Sequence, residues 1–306
     1  MGKWTADDIP DQSGRRAIVT GANGGLGYQV SLELARHGAR VILAARDPER
    51  GQAALDRLLA EVPGADAELR RLDLASLDAI RAFADGVDEP VDLLVNNAGV
   101  MAGPYRRTAD GFEMQLGTNH LGHFALTGLL LPRLLESERP RVVTVSSGAH
   151  RIGRMQFDDL NFERGYNRWR AYGQSKLANL LFMRELARRA AEAGTPLVSV
   201  SAHPGYASTH LQSTGTKVDD LLMKVTNRLI AQSDAMGALP LLYAATEDLE
   251  SGAYVGPDGM GEQRGHPKLV GMTQRARDPE AARRLWAESE RLTGVTYDLT
   301  RTPQRT

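Results

Sequence analysis

Short, almost purely apolar runs alternate along the chain with segments in which apolar residues recur at helical spacing. The apolar runs are Ala17–Thr20, Val41–Ala45, Val91–Val95, Val142–Ser146 and Leu197–Ala202, with a weaker one at Ala67–Leu72. The helical segments are Tyr28–Arg36, Asp47–Glu61, Leu77–Ala84, Phe112–Leu135, Ala171–Ala193 and Pro279–Thr293. Strands that are apolar on both faces, with helices between them, are typical of a parallel sheet covered on both sides. The pattern predicts a single-domain α/β fold, a doubly wound parallel sheet of about seven strands.

The chain is long enough for one such domain, and its charge balance argues against a nucleic acid as partner. Its 306 residues include 37 basic and 38 acidic side chains, without the basic excess that nucleic-acid binding requires. The absence of cysteine excludes thiol nucleophiles, thiolate metal sites and disulfides. We expect a domain over residues 15–299 with a substrate loop at about 206–234, an N-terminal extension at 1–14 and a flexible tail at 300–306.

The sequence carries no signal for membrane insertion or secretion. No apolar run reaches the length of a membrane span, and the first residues lack the apolar segment of a signal peptide. We therefore expect a cytoplasmic protein that acts on a small molecule. The two long helical segments, Phe112–Leu135 and Ala171–Ala193, are candidates for the contact between subunits of a homodimer or homotetramer.

A glycine-rich turn follows the first predicted strand and opens the first helix. It reads Thr20-Gly-Ala-Asn-Gly-Gly-Leu-Gly27. Glycines in this position let backbone N–H groups approach a pyrophosphate, which the positive end of the helix dipole stabilises. The placement indicates the dinucleotide site of a Rossmann fold, with candidate contacts from Gly21, Asn23, Gly25, Leu26 and Gly27.

The type of residue that follows the second strand indicates whether a Rossmann fold prefers NAD or NADP. Folds that prefer NAD place a carboxylate there for the ribose 2′-hydroxyl, whereas here Val41–Ala45 is followed by Arg46. A guanidinium pairs with a 2′-phosphate, and the missing carboxylate removes a repulsion against it. The sequence predicts NADP(H) in preference to NAD(H).

Tyr172 and Lys176 lie four residues apart in a predicted helix, so their side chains project from the same face. A free tyrosine titrates near ~10, and proton transfer near neutral pH requires its pKa to fall by about three units, or roughly 4 kcal/mol. A nearby ammonium supplies part of that fall, and a positively charged nicotinamide supplies more. The pair predicts proton exchange with a carbonyl or alcohol substrate.

Four motifs in this order resemble those of the short-chain dehydrogenase/reductase family, classical type. They are Thr-Gly-x-x-x-Gly-x-Gly at 20–27, Asn96-Asn-Ala-Gly99, the serine pair at 146 and 147, and Tyr172-x-x-x-Lys176. The match spans most of the chain. The resemblance implies an oxidoreductase of the ketoreductase or dehydrogenase kind, in which hydride moves between nicotinamide and substrate while Tyr172 acts as general acid or base.

The resemblance also implies roles for other residues. Lys176 would lower the pKa of Tyr172 and hold the nicotinamide ribose, and Asn119 would interrupt a helix and anchor a water relay to the lysine. Ser147 would hydrogen-bond the reacting oxygen; Ser146 competes for this role, but retinol dehydrogenase-like members place the second serine at this distance from the tyrosine. The remaining implied cofactor contacts are Asp73 and Leu74 near the adenine, Asn97, Ala98 and Gly99 along the adenosine half, and Pro204, Gly205 and Thr209 at the carboxamide.

Two further stretches indicate a subgroup within this family. Residues 119–124, Asn-His-Leu-Gly-His-Phe, and residues 175–179, Ser-Lys-Leu-Ala-Asn, resemble retinol dehydrogenases and light-dependent protochlorophyllide reductases. The candidate substrate residues are His150, Phe157, Trp169, Tyr206 and Leu211. Because these side chains are largely apolar, we expect a hydrophobic aldehyde, ketone or secondary alcohol as substrate.

Other functions fit parts of the sequence. A non-catalytic NADP-binding sensor would use the same glycine-rich turn, although sensors tend to lose the tyrosine or the lysine. An epimerase or dehydratase of the extended relatives would space the turn as Gly-x-x-Gly-x-x-Gly, unlike the spacing here. His120 and His123 lie three residues apart without an evident third ligand, which favours packed or solvated histidines over a metal site.

Overall fold

Eight strands form one sheet in the computed structural model, which describes residues 3–205 and 233–300. The strands are β1 (Arg16–Thr20), β2 (Arg40–Ala45), β3 (Ala67–Arg71), β4 (Leu93–Asn96), β5 (Arg141–Val145), β6 (Val198–Ala202), β7 (Tyr254–Pro257) and β8 (Pro267–Leu269). They lie in the order β3-β2-β1-β4-β5-β6-β7-β8, with β8 alone antiparallel to its neighbour. The strand order reverses between β1 and β4, and ligands of open α/β sheets bind at the carboxyl edge of such a switch point.

The helices cover both faces of this sheet. They are α1 (Gly25–Arg36), α2 (Pro48–Glu61), α3 (Leu77–Asp85), α4 (Met114–Leu116), α5 (Gly122–Leu135), α6 (Arg168–Glu192), α7 (Asp234–Thr246) and α8 (Pro279–Thr293). A π-helical turn, Gly117–Leu121, joins α4 to α5. The predicted doubly wound parallel sheet with helices on both faces is therefore confirmed. The segment predicted as one helix over Phe112–Leu135 is helical from Met114 to Leu135, and this turn, which contains Asn119, interrupts its regular α-helical pattern.

The two strands absent from the sequence prediction, β7 and β8, lie in the glycine-rich stretch after Gly252. They have four and three residues and contain prolines, so they lack the long apolar run that marks the other strands. Their pairing depends on tertiary contacts: β7 extends the sheet beside β6, and β8 closes its edge as an antiparallel partner. This extension places residues 254–269 beside the carboxyl end of β6.

The long helices α5 and α6 are buried inside the single chain. Every residue of 122–128 and of 171–183 is buried. Helix α8 packs across them through Trp286, whose ring lies 5.1 Å from that of Phe124 and 5.9 Å from that of Phe182. Tyr297 adds a hydrogen bond of 2.6 Å from its hydroxyl to the Phe124 carbonyl. The C-terminal segment therefore packs on both long helices, and the subunit contact expected through them stays a prediction.

The N-terminal segment also packs on the domain. The Trp4 Nε1–H donates to Glu247 Oε1 at 2.9 Å, and the indole lies edge-on to Tyr243 at 5.3 Å. Ile9 is buried against the same side of the sheet. Within residues 3–205 and 233–300, none of the helices is both long enough and apolar enough to cross a membrane.

Candidate active site

Helix α6 carries Tyr172 and Lys176 past the carboxyl end of β5. The helix begins at Arg168 because the Asn167 side chain caps it, accepting hydrogen bonds from two N–H groups of the first turn. Both side chains are buried, with 9% of Tyr172 and 4% of Lys176 exposed. The Lys176 Nζ lies 5.8 Å from the centre of the Tyr172 ring and donates a hydrogen bond of 3.1 Å to the Val145 carbonyl.

Burial shifts the pKa values of both groups toward their neutral forms. Burial raises the pKa of Tyr172, while a side-chain hydrogen bond with Ser147 acts in the opposite direction. Burial lowers the pKa of Lys176 to about 8. Charge on either group therefore needs further stabilisation, and for the phenolate the ordinary source is a nearby cation.

The two serines after β5 have different partners. Ser146 is buried, and its hydroxyl donates to the Lys176 carbonyl at 2.8 Å. Ser147 is partly exposed; its hydroxyl oxygen accepts the Ala149 N–H at 3.2 Å, and it lies close enough to the phenol of Tyr172 to counteract the rise in the pKa of that group. The geometry thus brings together Ser147 and Tyr172, whereas Ser146 holds the helix backbone below them.

Asn119 sits in the π-helical turn and ties three elements together. Its Oδ1 accepts the Val100 N–H at 2.8 Å, and its Nδ2 donates to the Val100 carbonyl at 2.9 Å and to the Ser175 hydroxyl at 2.9 Å. The Cβ that an alanine would carry at position 99 would lie 3.1 Å from Asn119 Oδ1 and 3.6 Å from Lys176 Nζ. A side chain at position 99 would therefore crowd Asn119, and glycine lets the backbone pass close to Asn119 and Lys176. π-Helical turns of this kind occur frequently at functional sites.

A histidine that the sequence analysis did not use links this turn to the cofactor motifs. His123 Nδ1–H donates to the Asn119 carbonyl at 3.0 Å, which leaves Nε2 to accept the Thr20 hydroxyl proton at 2.9 Å. The Thr20 oxygen in turn accepts the N–H groups of Asn97 and Ala98, both at 2.9 Å. Burial lowers the pKa of His123 to about 4, so the ring remains neutral in this network.

The glycine-rich turn has the geometry required for close approach of a phosphate. Gly21 and Gly25 have φ values of 66° and 55°, in the left-handed region that favours glycine. A Cβ on Gly27 would lie 2.4 Å from the Gly21 carbonyl oxygen, so no larger residue fits there. Helix α1 begins at Gly25, and no side chain caps its first turn. Its N–H groups and positive dipole end are suited to a bound anion.

Arg46 and Asp73, predicted to contact the adenosine half of the cofactor, follow neighbouring strands. Arg46 is exposed directly after β2, and the neighbouring Asp47 is engaged as the N-cap of α2, accepting two N–H groups at 3.1 Å. Asp73 follows β3, and its Oδ1 accepts the Ala75 N–H at 3.0 Å. Leu74 is buried against Gly122. The guanidinium of Arg46 is thus the charged group presented at the tip of β2.

The three predicted substrate residues within the described part of the chain do not converge. Trp169 is 41% exposed and lies edge-on to Tyr172 at 6.4 Å, so it flanks the site. Phe157 is instead half-buried beneath Arg284 of α8, whose guanidinium lies 4.3 Å from its ring. His150 is 1% exposed and donates from Nδ1 to the Ser147 carbonyl at 2.7 Å, which makes it a support for Ser147 rather than a pocket wall.

Other predicted residues flank or fall outside the described part of the chain. Pro204 and Gly205 follow β6, and Gly205 has a φ of 71°. Thr209, Tyr206, Leu211 and most of the predicted loop at 206–234 lie outside the described residues. Among the described residues, histidine and carboxylate side chains form no group of three or more suited to a metal ion.

Comparisons with known proteins identify relatives of this chain. A model of the short chain dehydrogenase family matches residues 15–219. Retinol dehydrogenase 13 of Homo sapiens is 46% identical over 92% of this chain and 85% of its own length. The crystal structure of an uncharacterized protein from Mycobacterium Paratuberculosis is 47% identical, with a TM-score of 0.82 over 97% of this chain and 100% of that chain. A structure described as an NAD(P) dependent gluconate 5-dehydrogenase from Beutenbergia cavernae with bound NADP is 26% identical, with a TM-score of 0.60 over 76% and 90%.

Proposed function

The chain belongs to the short chain dehydrogenase family, in its retinol dehydrogenase-like subgroup, and on that premise we propose that it is an NADP(H)-dependent oxidoreductase of hydrophobic carbonyl and alcohol compounds. The observation that carries the proposal is the contact of Tyr172 with Ser147, beside the buried Lys176. A phenol, a hydroxyl and an ammonium then converge at one end of the sheet. These are the groups that a proton transfer to a carbonyl oxygen requires.

The residues around the switch point fit a nicotinamide dinucleotide. Gly21 and Gly25 supply the left-handed backbone of the turn, and Gly27 lets α1 pack against the Gly21 carbonyl. The first turn of α1, which no side chain caps, can then meet a pyrophosphate. In the proposed arrangement Lys176 holds the nicotinamide ribose, with Asn119 fixing the backbone next to it. When bound, the nicotinamide supplies or accepts the hydride.

The protein groups perform the proton transfer. In reduction, Tyr172 donates its phenolic proton to the substrate oxygen, and in oxidation it takes that proton from the alcohol. Ser147 donates a hydrogen bond to the same oxygen and stabilises charge that develops on it. The Lys176 ammonium stabilises the phenolate that remains, because burial by itself raises the pKa of the phenol. Proton transfer by a positioned side chain contributes about 10²- to 10⁴-fold to a rate.

The preference for NADP(H) rests on the end of β2. Arg46 is the exposed charge there, and the adjacent carboxylate of Asp47 is committed to the helix cap. A guanidinium forms charge-assisted hydrogen bonds with a 2′-phosphate. The NADP bound in the Beutenbergia cavernae relative is consistent with a nicotinamide cofactor in this fold. Arg46→Asp should reverse the preference, with NADPH affinity falling by about 10- to 100-fold.

The substrate class is drawn from the subgroup and from the rim of the site. The human relative at 46% identity is a retinol dehydrogenase, and retinol is a long apolar alcohol. The exposed indole of Trp169 next to Tyr172 offers apolar surface to such a molecule. We expect all-trans-retinal and similar apolar aldehydes or ketones to be reduced with NADPH.

The test is the Tyr172→Phe variant, assayed for NADPH oxidation with a panel of retinal, aromatic ketones, quinones and steroids. Turnover should fall by about 10²-fold or more while NADPH binding persists. Unchanged turnover in the variant, or no oxidation of NADPH by the wild type with any panel member, would contradict the proposed reaction. Binding of NADPH without turnover by either protein would favour a sensor instead.

A further inference from the structure

Glu262 stands out between β7 and β8 because its backbone is strained. It has a φ of 58°, in the left-handed region, although it is not a glycine. Such a conformation persists in a non-glycine residue when the surrounding structure requires it, and it clusters at functional sites. The side chain of Glu262 is only 20% exposed, and its carboxylate has two basic partners.

The two partners approach the same carboxylate oxygen from different elements. The Oε2 of Glu262 accepts a hydrogen bond of 3.2 Å from Nε2 of His203 and one of 2.7 Å from Nη2 of Arg151. His203 follows β6 and is 2% exposed, whereas Arg151 ends the short helical turn that begins after Ser147. The carboxylate therefore bridges the segments that follow β5 and β6.

The bond to Glu262 determines which nitrogen of His203 carries the proton. The Gly205 N–H donates to Nδ1 of His203 at 3.3 Å, so Nδ1 acts as the acceptor and Nε2 carries the hydrogen that Glu262 accepts. Burial lowers the pKa of His203 to about 4 despite the carboxylate, so the ring stays neutral. A carboxylate that orients an imidazole in this way fixes both its tautomer and its direction.

The backbone around His203 is shaped to this arrangement. A Cβ on Gly256 would lie 2.1 Å from the His203 ring, and a Cβ on Gly205 would lie 2.3 Å from the Gln263 carbonyl oxygen. The turn that carries Glu262 thus packs directly on Gly205, and glycines at two positions make the contact feasible. The other groups that face this cluster are His150 and Tyr254, whose rings lie edge-on to one another at 5.7 Å.

We propose that Glu262 is a positioning residue for the nicotinamide end of the cofactor site: through His203 it holds the Pro204–Gly205 turn, and Arg151 clamps its carboxylate from the other side. The inference rests on the proposed function, which assigns that turn to the carboxamide. It concerns a residue outside the family motifs and more than fifty positions beyond the turn it holds. Removing the carboxylate leaves the Nε2–H of His203 without its acceptor, which weakens the orientation of the ring that accepts the Gly205 N–H.

The experiment compares binding of NADPH with binding of 2′-phospho-ADP-ribose, which has the adenosine half but lacks nicotinamide. Glu262→Ala should weaken NADPH binding by about 10-fold, in the range typical for loss of a supporting residue, and leave 2′-phospho-ADP-ribose binding unchanged. Glu262→Gln, which retains an oxygen acceptor, should restore most of the affinity. Arg151→Ala should weaken NADPH binding in the same direction by a smaller factor.

The matched control is Glu163→Gln, because Glu163 also accepts Arg107 Nη2 at 2.8 Å but lies in a different, exposed loop. This variant should bind both ligands like the wild type. Equal weakening of both ligands by Glu262→Ala would indicate a general structural defect and overturn the inference, as would wild-type affinity for NADPH. Failure of the wild-type protein to bind either ligand would instead overturn the proposed function.

Discussion

The buried ammonium of Lys176 should make the protein less stable than a variant without it. Its pKa falls from 10.5 to about 8 because burial disfavours the charged form, and a shift of that size corresponds to about 3 kcal/mol at neutral pH. Lys176→Met keeps a similar length without the charge. The variant also loses the hydrogen bond to the Val145 carbonyl, which offsets about 1–2 kcal/mol of the stability gained by removing the charge. The Asn179 amide still donates to that carbonyl at 3.0 Å, so no buried acceptor is left unpaired.

We therefore expect Lys176→Met to raise the free energy of unfolding by about 1–2 kcal/mol at pH 7 while abolishing turnover. The sign follows from the direction of the shift. The lysine pKa is lower in the folded than in the unfolded state, so its cost is complete below about pH 8 and disappears as the pH rises above 10.5. Between pH 7 and pH 9.5 the free energy of unfolding of the wild type should rise by about 2 kcal/mol relative to that of the variant.

Urea unfolding of both proteins without cofactor, at pH 7 and pH 9.5, measures this difference. Other titrating groups are common to the two proteins and cancel. A variant that is less stable than the wild type at pH 7, or a difference between the two that does not change with pH, would refute the reasoning. Either result would mean that the lysine is better stabilised in the folded protein than its burial indicates.

Three further predictions concern separate parts of the structure. Gly27→Ala should reduce NADPH binding more than 10-fold in a fluorescence titration, since its Cβ would lie 2.4 Å from the Gly21 carbonyl; Gly24→Ala, whose Cβ meets nothing within 4 Å, is the control and should bind normally. Ser147→Ala should lower kcat about 10²-fold, whereas Ser146→Ala should mainly cost about 1 kcal/mol in thermal unfolding; the reverse order would exchange the roles of the serines. Trp286→Ala should cost about 3–5 kcal/mol in urea unfolding, and a loss below 1 kcal/mol would mean that α8 does not hold α5 and α6.

The sequence predicts those parts of the fold that depend on local pattern. The apolar runs that became β1 and β2, and the turn that ends at Gly27, combine a strand, a glycine-rich turn and a helix within one stretch of chain. The strands β7 and β8 could not be found in this way, because four or three residues with prolines carry no periodicity and only pair once β6 is in place. The cover that α8 provides to the long helices also depends on tertiary packing, which helix length alone does not reveal.

In the candidate site too, the residues that could be predicted are those whose arrangement follows from local sequence spacing. Tyr172 and Lys176 are recognisable because their spacing on one helix is itself the geometry. The hydrogen-bonding roles of Thr20 and His123 were not predicted, and Glu262 was missed, since each acts through a hydrogen bond to a residue far away in the sequence. A buried histidine four residues after Asn119 is a signal that could have been followed, because that spacing places its Nδ1 next to the asparagine carbonyl.

The hydroxyl of Thr20 has consequences for how this site can be rebuilt. It accepts two N–H groups and donates to His123, so all of its bonding capacity is used. A glycine-rich turn exchanged with that of a relative would function only if Thr20, the Asn97 turn and His123 were moved together. Transfer of the turn alone, beside a different side chain at 123, would leave the Thr20 hydroxyl with only its longer bond to the Val95 carbonyl, at 3.3 Å. A functional transfer of this turn to another protein therefore requires three distant stretches of chain rather than one loop.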